Sequence, residues 1–176
     1  MIKVSKKPLI SIIINCRNGS KFLKKCLQSV FSQSYKNWEI VFFDNNSTDD
    51  SLNIVKSFKD KRIRIFSNKK KLFLKLYDAR NVAIKKSLGK YITFIDVDDI
   101  WKKNKLSEQV KILNQNSSIK IFYSNFHILE NKYKKLSLGH RKILPSGLIT
   151  QELLNNYCVG ILLSLIHIWL PTTPYV

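Results

Sequence analysis

The fold is decided by the stretch Tyr91-Ile92-Thr93-Phe94-Ile95-Asp96-Val97-Asp98-Asp99. This apolar and aromatic run follows Gly89 and stops at three carboxylates, which is typical of an interior strand of an α/β sheet. Ligands of such sheets bind just beyond the carboxyl ends of the strands. Carboxylates crowded there repel one another unless a cation lies between them, and hard oxygen ligands suit Mg²⁺ or Mn²⁺. The acids therefore predict either a divalent metal site or, more simply, a polar turn in which an Asp caps a helix.

The composition is that of a globular protein with an unusual charge. A chain of 176 residues with 44% hydrophobic and 24% charged residues supports one domain, or an incomplete part of a larger one. Its 31 Lys and Arg against 12 Asp and Glu give a net charge of +19, which favours phosphate-rich partners. Nucleic acid, an anionic membrane surface and nucleotide-linked substrates are candidates, and a lysine-favouring genome is the alternative explanation.

The cysteines and the apolar segments bear on location. Cys16, Cys26 and Cys158 are odd in number and have no metal-ligand spacing, so we expect reduced thiols in the cytoplasm. The first apolar run, over residues 9–14, has the character of a strand and not of a signal sequence. No segment reaches the roughly 18 apolar residues that span a bilayer. These features predict a cytoplasmic protein, soluble or peripheral on the inner face of the membrane.

Strands and helices alternate along the first 99 residues. Apolar runs rich in β-branched or aromatic residues predict strands, and apolar residues three or four apart predict helices. The predicted order is strand 9–14, a helix with Ser20 as N-cap, strand 38–43, a helix capped by Ser47 or Thr48, strand 62–66, helix 77–88 with Gly89 as C-cap, and the strand that begins at Tyr91. Such alternation predicts an α/β fold with a mostly parallel sheet and helices on both faces. Farther along we expect a helix over 103–114, a strand over 119–126, a basic loop over 132–142 and a short helix over 151–156.

Polar residues follow three of the predicted strands. The carboxyl ends of parallel strands share one edge of a sheet, so these loops should lie together. Amides and acids meeting there, beside a basic segment, predict a nucleotide site with a metal. The residues concerned are Asn15 and Asn18, Asp44 and Asn45, and Asp96, Asp98 and Asp99.

Four segments in this order and spacing resemble the nucleotide-sugar half of family 2 glycosyltransferases, which have the Rossmann-like GT-A fold. The resemblance covers roughly residues 8–125, and the four segments occurring together are more specific than any one of them. The segments are Ile10-Ser11-Ile12-Ile13-Ile14-Asn15-Cys16 with Asn18-Gly19, Trp38-Glu39-Ile40 through Asp44-Asn45-Asn46-Ser47-Thr48-Asp49, Ala79-Arg80-Asn81, and Asp96-Val97-Asp98-Asp99.

The resemblance implies a role for each site residue. The backbone at Asn15 and Cys16 would line the base and ribose pocket, and Asp44 would accept a hydrogen bond from the base imide. Arg80 would contact the nucleotide or its diphosphate, because a guanidinium suits planar anions. Asp96 would lie near the ribose and the metal, and Asp98 would bind Mn²⁺ or Mg²⁺ with Asp99 supporting or sharing it.

Each of these roles has a structural alternative. Asp44 would then merely precede a helix cap, Arg80 would be a surface residue beside Asp78, and Asp99 would cap the next helix. Arg17 departs from the aromatic residue usual at its position, which leaves open what packs against the base. Trp101 is expected in the core.

The resemblance also implies the reaction and its missing part. A sugar would pass, with inversion, from a nucleoside diphosphate, most often UDP, to a glycan or lipid-linked acceptor. Such transfer needs a general base on the acceptor side. Glu108, Glu130 and Glu152 do not match the family's acceptor motif, so the catalytic base is unknown and expected beyond this chain.

The last residues depart from the rest. Residues 163–176 contain no charged side chain, and we interpret them as an atypical, non-native tail on an incomplete GT-A domain over 1–162 that lacks its acceptor part. This interpretation predicts nucleotide binding with little or no transfer.

Other function classes stay open. A nucleic-acid-binding module would use the lysines of 69–75 and 132–142 as phosphate contacts, but no recognised nucleic-acid motif accompanies them. Docking on anionic lipid would use the same charge and is compatible with a lipid-linked acceptor. A nucleotidyltransferase would also use metal-binding carboxylates, but it usually has an early Gly-rich phosphate loop, which residues 15–19 do not form.

Overall fold

The computed structural model describes residues 7–68, 72–116, 119, 121–130, 135–139, 146–147 and 165–167. The elements alternate as the sequence predicts through the fourth strand. In chain order they are β1 (Ile10–Cys16), α1 (Ser20–Phe31), β2 (Trp38–Asp44), α2 (Ser51–Ser57), β3 (Ile63–Ser67), α3 (Leu76–Ile84), β4 (Tyr91–Phe94), α4 (Lys105–Gln115), β5 (Ile121–Phe122), β6 (His127–Glu130), β7 (Lys135–Leu138) and β8 (Leu165–His167).

Among the described residues, the main sheet has six strands in the order β3-β2-β1-β4-β8-β5. The pairs β3–β2, β2–β1 and β1–β4 are parallel, and β8 pairs antiparallel with both β4 and β5. The strand order reverses between β1 and β4, which is the position where open α/β sheets bind ligands. A separate two-stranded antiparallel sheet joins β6 and β7.

Helices cover both faces of the sheet, as expected. Alternate residues of each strand point to opposite faces, so the continuous apolar runs of β1 and β2 fill two cores. The larger core packs Ile12, Ile40 and Tyr91 against α1, α2 and α4, and it contains Trp101, which is 6% exposed. The smaller core packs β1, β2 and β4 against Ala79 and Ala83 of α3.

A buried carboxylate organises the amino-terminal edge of the sheet. Glu39 Oε1 accepts hydrogen bonds from Ser11 Oγ at 2.6 Å and from the Leu88 amide at 2.7 Å. Its Oε2 accepts from Arg64 Nη1 at 2.9 Å. The Gly89 amide in turn donates to Ser11 Oγ at 2.8 Å. The predicted C-cap role of Gly89 is therefore wrong: α3 ends at Ile84 with Lys85 as its C-cap, and the Gly89 amide bonds to Ser11 of β1.

Gly89 has a different reason to be glycine. A Cβ at this position would lie 2.6 Å from the Ser11 backbone nitrogen and 2.8 Å from the Leu9 carbonyl oxygen. The loop before β4 therefore crosses β1 at a distance that only a residue without a side chain allows.

Beyond residue 99 the predictions hold less well. In the described residues of 119–126 the expected strand is present only as β5, and α4 begins two residues later than predicted. The expected basic loop over 132–142 is wrong in part, because residues Lys135–Leu138 form β7 and pair with β6. Apolar Leu136 and Leu138 alternate there with Lys135 and Ser137, a strand pattern that the high lysine content obscures.

The last segment enters the sheet through one strand. Within the tail, residues Leu165–His167 form β8 between β4 and β5. The non-native origin of the tail stays a prediction, which sequencing of the uninterrupted gene would test. The expected helix over 151–156 lies outside the described residues. No helix in the described part of the chain is both long and apolar enough to cross a bilayer.

Candidate functional site

The candidate site lies at the carboxyl edge of the parallel strands. Cys16 is the register partner of Asp44, and Asp44 is the partner of Ser67. The ladder continues past β4, since the Ile95 amide donates to the Ile13 carbonyl at 3.1 Å. Strand register therefore places the loops after β1, β2, β3 and β4 on one edge, as the sequence predicts.

Asp44 is a buried acceptor with a free atom. The residue ends β2 and is 3% exposed. Its Oδ2 accepts a hydrogen bond from the Ser47 amide at 3.3 Å, whereas Oδ1 is buried with no hydrogen-bond partner among the described residues. The side-chain oxygen and nitrogen of Asn15 are likewise buried without partners in the described part. Such atoms are costly in a folded protein, and a bound ligand that supplies donors would satisfy them.

Asn45 fixes the loop that follows β3. Its Nδ2 donates to the Leu74 carbonyl and its Oδ1 accepts from the Leu74 amide, both at 2.8 Å. Asn68 Nδ2 donates to the same Oδ1 at 3.2 Å and to the Leu72 carbonyl at 2.9 Å. The loop over 72–74 is therefore held directly beside Asp44. Sequence reasoning missed Asn68, because a strand-ending Asn is also an ordinary turn residue.

Arg17 stacks on this loop. Its guanidinium carbon lies 3.6 Å from the centroid of the Phe73 ring, which is a cation–π contact. The sequence left open what packs against the base, because Arg17 replaces the usual aromatic residue, and that question stays open. The structure supplies an aromatic ring from the loop after β3. Only the three-dimensional fold brings these two residues together, so no local pattern predicts the pair.

The loop after β2 clamps the loop after β1. The predicted helix-cap roles of Ser47 and Thr48 are wrong: α2 begins at Ser51, and both residues bond to the loop after β1 instead. Ser47 Oγ accepts from the Asn18 amide at 3.0 Å, and the Thr48 amide donates to Asn18 Oδ1 at 2.8 Å. Asn18 has a φ of 54°, a left-handed conformation that asparagine tolerates better than most residues.

The Asp49 side chain binds the start of α1, although it lies 29 positions away in the sequence. Ser20 is the first residue of α1 and not its N-cap, which is Gly19. Asp49 Oδ2 accepts from the Ser20 amide at 2.9 Å, and Oδ1 accepts from the Ser51 amide at 3.0 Å. Desolvation alone would raise the pKa of Asp49, but its hydrogen bonds with Ser51 and Ser20 outweigh this effect and hold the pKa below its ordinary value. This acid therefore has a structural role.

The acidic loop after β4 rests on α1. The Asp99 amide donates to the Asp96 carbonyl at 3.0 Å and closes a tight turn, while the Cys26 thiol donates to the same carbonyl at 3.5 Å. A Cβ on Gly19 would lie 3.0 Å from Val97 Cγ2, so the turn also packs closely on the start of α1. Asp98 is exposed and Asp99 is half-buried.

Arg80, which lies on α3, is hydrogen-bonded to this acidic turn. Its Nη2 donates to Asp96 Oδ1 at 3.2 Å, so the residue is not a surface side chain paired with Asp78. Burial raises the pKa of Asp96, Arg80 opposes that rise, and Asp98 adds to it. Burial, with the charges of Asp96 and Asp98, raises the pKa of Asp99 to about 6. One guanidinium thus faces a turn with three carboxylates.

These residues fit a divalent ion that a ligand helps to bind. Within the described residues, no three acid, thiol or imidazole side chains converge closely enough to hold an ion alone. Asp96 pairs with Arg80, which leaves Asp98 and Asp99 as carboxylate donors. Magnesium-like ions often take one or two protein carboxylates and complete their shell with substrate phosphates and water. Burial is the main cause of the raised Asp99 pKa, and the repulsion from Asp96 and Asp98 that adds to it is the kind that such an ion relieves.

A cavity of about 600 Å³ opens beside the site, between the ends of β2 and β3 and helix α3. It adjoins Asn68 and Leu74, and its other side is lined by Asp78 and Asn81 of α3 and by Lys85 just after that helix. Its lining residues include neither Asp44 nor the acids of the turn after β4, so the cavity borders the carboxyl edge without containing the predicted donor residues.

Comparison with known proteins gives concordant matches. Residues 11–160 match the family model described as Glycosyl transferase family 2. The chain is 34% identical over 155 residues to an Escherichia coli protein named UDP-Glc:alpha-D-GlcNAc-diphosphoundecaprenol beta-1,3-glucosyltransferase WfgD, covering 88% of this chain and 58% of that protein. It is 38% identical over 121 residues to WfaP of Escherichia coli, which carries the same activity name, covering 68% of this chain and 47% of that protein. The chain thus spans about half the length of these relatives.

A solved structure also matches. The crystal structure of S. aureus TarS 1-349 in complex with UDP-GlcNAc aligns with a TM-score of 0.57 at 26% sequence identity. The alignment covers 64% of this chain and 32% of that chain.

Proposed function

Since the chain belongs to glycosyl transferase family 2, we propose that its carboxyl edge binds a nucleoside diphosphate sugar, whose sugar is transferred to a lipid-linked or glycan acceptor. The family match and the structural match confirm the two broadest predictions from the sequence, which are membership of family 2 and an α/β fold of the GT-A type. The donor, the acceptor and the metal are the proposed parts.

The observation that carries the proposal is the pairing of Arg80 with Asp96 beside Asp98 and Asp99. A cation and a carboxylate cluster at the end of β4 suit a diphosphate bound together with a divalent ion. Arg80 would bind a phosphate oxygen through its planar group. Asp98 and Asp99 would hold Mn²⁺ or Mg²⁺, which when bound offsets the negative charge that develops on the departing nucleoside diphosphate.

The free oxygen of Asp44 favours a base with an imide or lactam N–H. Oδ1 of this carboxylate can accept from the N3–H of uracil or from the N1–H of guanine, whereas cytosine carries no proton at N3 and offers only its exocyclic amino group. The names of the two Escherichia coli relatives contain UDP-Glc, and the matched TarS structure contains UDP-GlcNAc. UDP is therefore the proposed carrier, with the backbone at Asn15 and Cys16 lining the base and ribose pocket.

The proposal for the acceptor is supported only by the names of the relatives. Both relatives are named for a diphosphoundecaprenol substrate, so we propose a lipid-linked acceptor, an envelope polysaccharide as the product and a peripheral position at the cytoplasmic face of the membrane. Inversion at the sugar follows from the family resemblance. The general base stays unassigned: Glu108 is exposed on α4, Glu130 ends β6, and Glu152 lies outside the described residues.

Calorimetric titration with nucleotides tests the donor proposal. UDP should bind more tightly than CDP, and Mn²⁺ should strengthen the binding of UDP. Asp98→Ala should remove the Mn²⁺ effect, whereas Glu108→Ala, which removes an exposed acid from α4, should leave it unchanged. An affinity for UDP that changes neither with Mn²⁺ nor with Asp98→Ala would overturn the metal assignment. A transfer assay with the same protein tests the prediction of little or no turnover.

A further inference from the structure

The segment between β3 and the first turn of α3 carries an exposed apolar surface. Leu72 is 79% exposed, Phe73 51%, Leu76 54% and Tyr77 59%. The other exposed large apolar side chains in the described part are scattered, as at Phe22, Leu88 and Ile100. Scattered examples are ordinary in soluble proteins, whereas four such side chains within six consecutive residues favour a place of interaction. We call Leu72, Phe73, Lys75, Leu76 and Tyr77 the 72–77 surface.

Positive charge accompanies this apolar surface. Lys75 is exposed within it, and Lys69, Lys70 and Lys71 directly precede it in the sequence. No acidic residue occurs from Lys69 to Tyr77. Leu and aromatic side chains that enter the headgroup region, together with lysines that meet anionic headgroups, are the chemistry of a peripheral membrane contact. A nucleic-acid contact would use the lysines and leave the two leucines without a role.

The surface is fixed to the proposed donor site. Asn45, next to Asp44, holds the Leu74 backbone through two hydrogen bonds of 2.8 Å. Arg17 stacks on Phe73, and α3, which begins at Leu76, also carries Arg80 to Asp96. A contact made by this surface therefore sets the orientation of the whole carboxyl edge.

We propose that the 72–77 surface docks the chain on an anionic phospholipid bilayer. Leu72, Leu76 and Tyr77 enter the interface, and Lys75 meets the headgroup phosphates. The inference names a membrane partner for the edge to which the proposed function assigns the donor, although the docking itself does not depend on nucleotide binding. It places that edge next to the bilayer, where a lipid-linked acceptor would present its head group.

Co-sedimentation of the full chain with large vesicles tests the proposal. One set of vesicles contains phosphatidylcholine alone and the other equal parts of phosphatidylcholine and phosphatidylglycerol. We expect sedimentation with the anionic vesicles and little with the neutral ones, and the binding should weaken as salt is raised. Leu72→Ser with Leu76→Ser should lower vesicle affinity about tenfold or more, and Lys75→Gln about fivefold.

A matched control lies at the opposite edge of the sheet. Leu88 is 68% exposed and Lys90 is also exposed, so Leu88→Ser with Lys90→Gln removes similar groups. This variant should sediment like the original chain. All variants change exposed side chains, and unchanged melting temperatures would show that they fold.

Several outcomes would overturn the proposal. They are equal sedimentation with both kinds of vesicle, no sedimentation at all, or equal losses in the control and in the leucine variant. Gel filtration that shows a dimer lost on Leu72→Ser with Leu76→Ser would identify a subunit interface instead. Tighter binding to duplex DNA than to anionic vesicles would favour nucleic acid. Titration of UDP separates this proposal from the proposed function: docking fails on its own if UDP binds and vesicles do not.

Discussion

Arg80 donates a hydrogen bond from Nη2 to Oδ1 of Asp96 across 3.2 Å, and the pair joins α3 to the acidic turn after β4. The family resemblance implied a contact of Arg80 with the nucleotide or its diphosphate and a position of Asp96 near the ribose and the metal. The hydrogen bond couples the two side chains, so replacing Arg80 should also change the surroundings of the Asp96 carboxylate.

Replacing Arg80 should weaken nucleotide binding. Arg80→Ala should lower the affinity for UDP in the presence of Mn²⁺ by about tenfold to a hundredfold, since charge-assisted hydrogen bonds contribute about 1.5–3 kcal/mol. Arg80→Lys should fall between, because it keeps the charge and loses the planar fork. Calorimetry measures the affinities, with Lys90→Ala as a remote cation control. Equal affinity in the original chain and Arg80→Ala would contradict the assignment.

Replacing Asp44 should separate binding from stability. Asp44→Ala should lower UDP affinity about tenfold or more, because the base loses its acceptor. The free protein should lose little stability or gain some, since the change removes a buried oxygen that has no partner among the described residues. Calorimetry and thermal unfolding measure the two effects. A large loss of stability together with unchanged UDP affinity would make Asp44 a structural residue.

Asp49 should make stability depend on acid. The folded state holds the pKa of this carboxyl below its ordinary value of 3.8, so its contribution is present above about pH 4 and lost as the pH falls below that. Asp49→Asn should cost about 1–2 kcal/mol at neutral pH, comparable to the loss of a helix cap, and should flatten the decline in acid. The neighbouring variant Asp50→Asn is the control. Urea unfolding at several pH values measures both, and equal behaviour of the two variants would refute the role.

Glu39 should be a stability residue without a role in binding. Glu39→Ala leaves the Ser11 hydroxyl, the Leu88 amide and the Arg64 guanidinium without their shared acceptor, so we expect a cost of about 2–4 kcal/mol. Affinity for UDP should not change at temperatures where the variant is folded, because Glu39 lies at the opposite edge of the sheet. Glu108→Ala, on exposed α4, should cost little. A loss of UDP affinity in folded Glu39→Ala would show coupling between the two edges.

The sequence predicted the parallel part of the sheet and the position of the acids. Buried apolar runs such as Ile10–Cys16 identify strands locally. An acid directly after such a run, as at Asp44 or Asp96, is therefore expected at the carboxyl end of the strand. Contacts distant in sequence could not be predicted in this way. Asn45 reaches Leu74 across 29 positions, and Arg17 meets Phe73 across the sheet edge, so neither contact leaves a pattern in its own segment.

All the residues that we assign to the donor lie between Asn15 and Asp99, in the one continuous segment that forms β1 to β4 with α1, α2 and α3 between them. A donor site built from one continuous stretch of chain can be exchanged by recombination at two points. Replacing residues 8–99 with the corresponding part of a relative would transfer the choice of nucleotide as a unit. Enzymes that use different donors for the same acceptor could arise in this way.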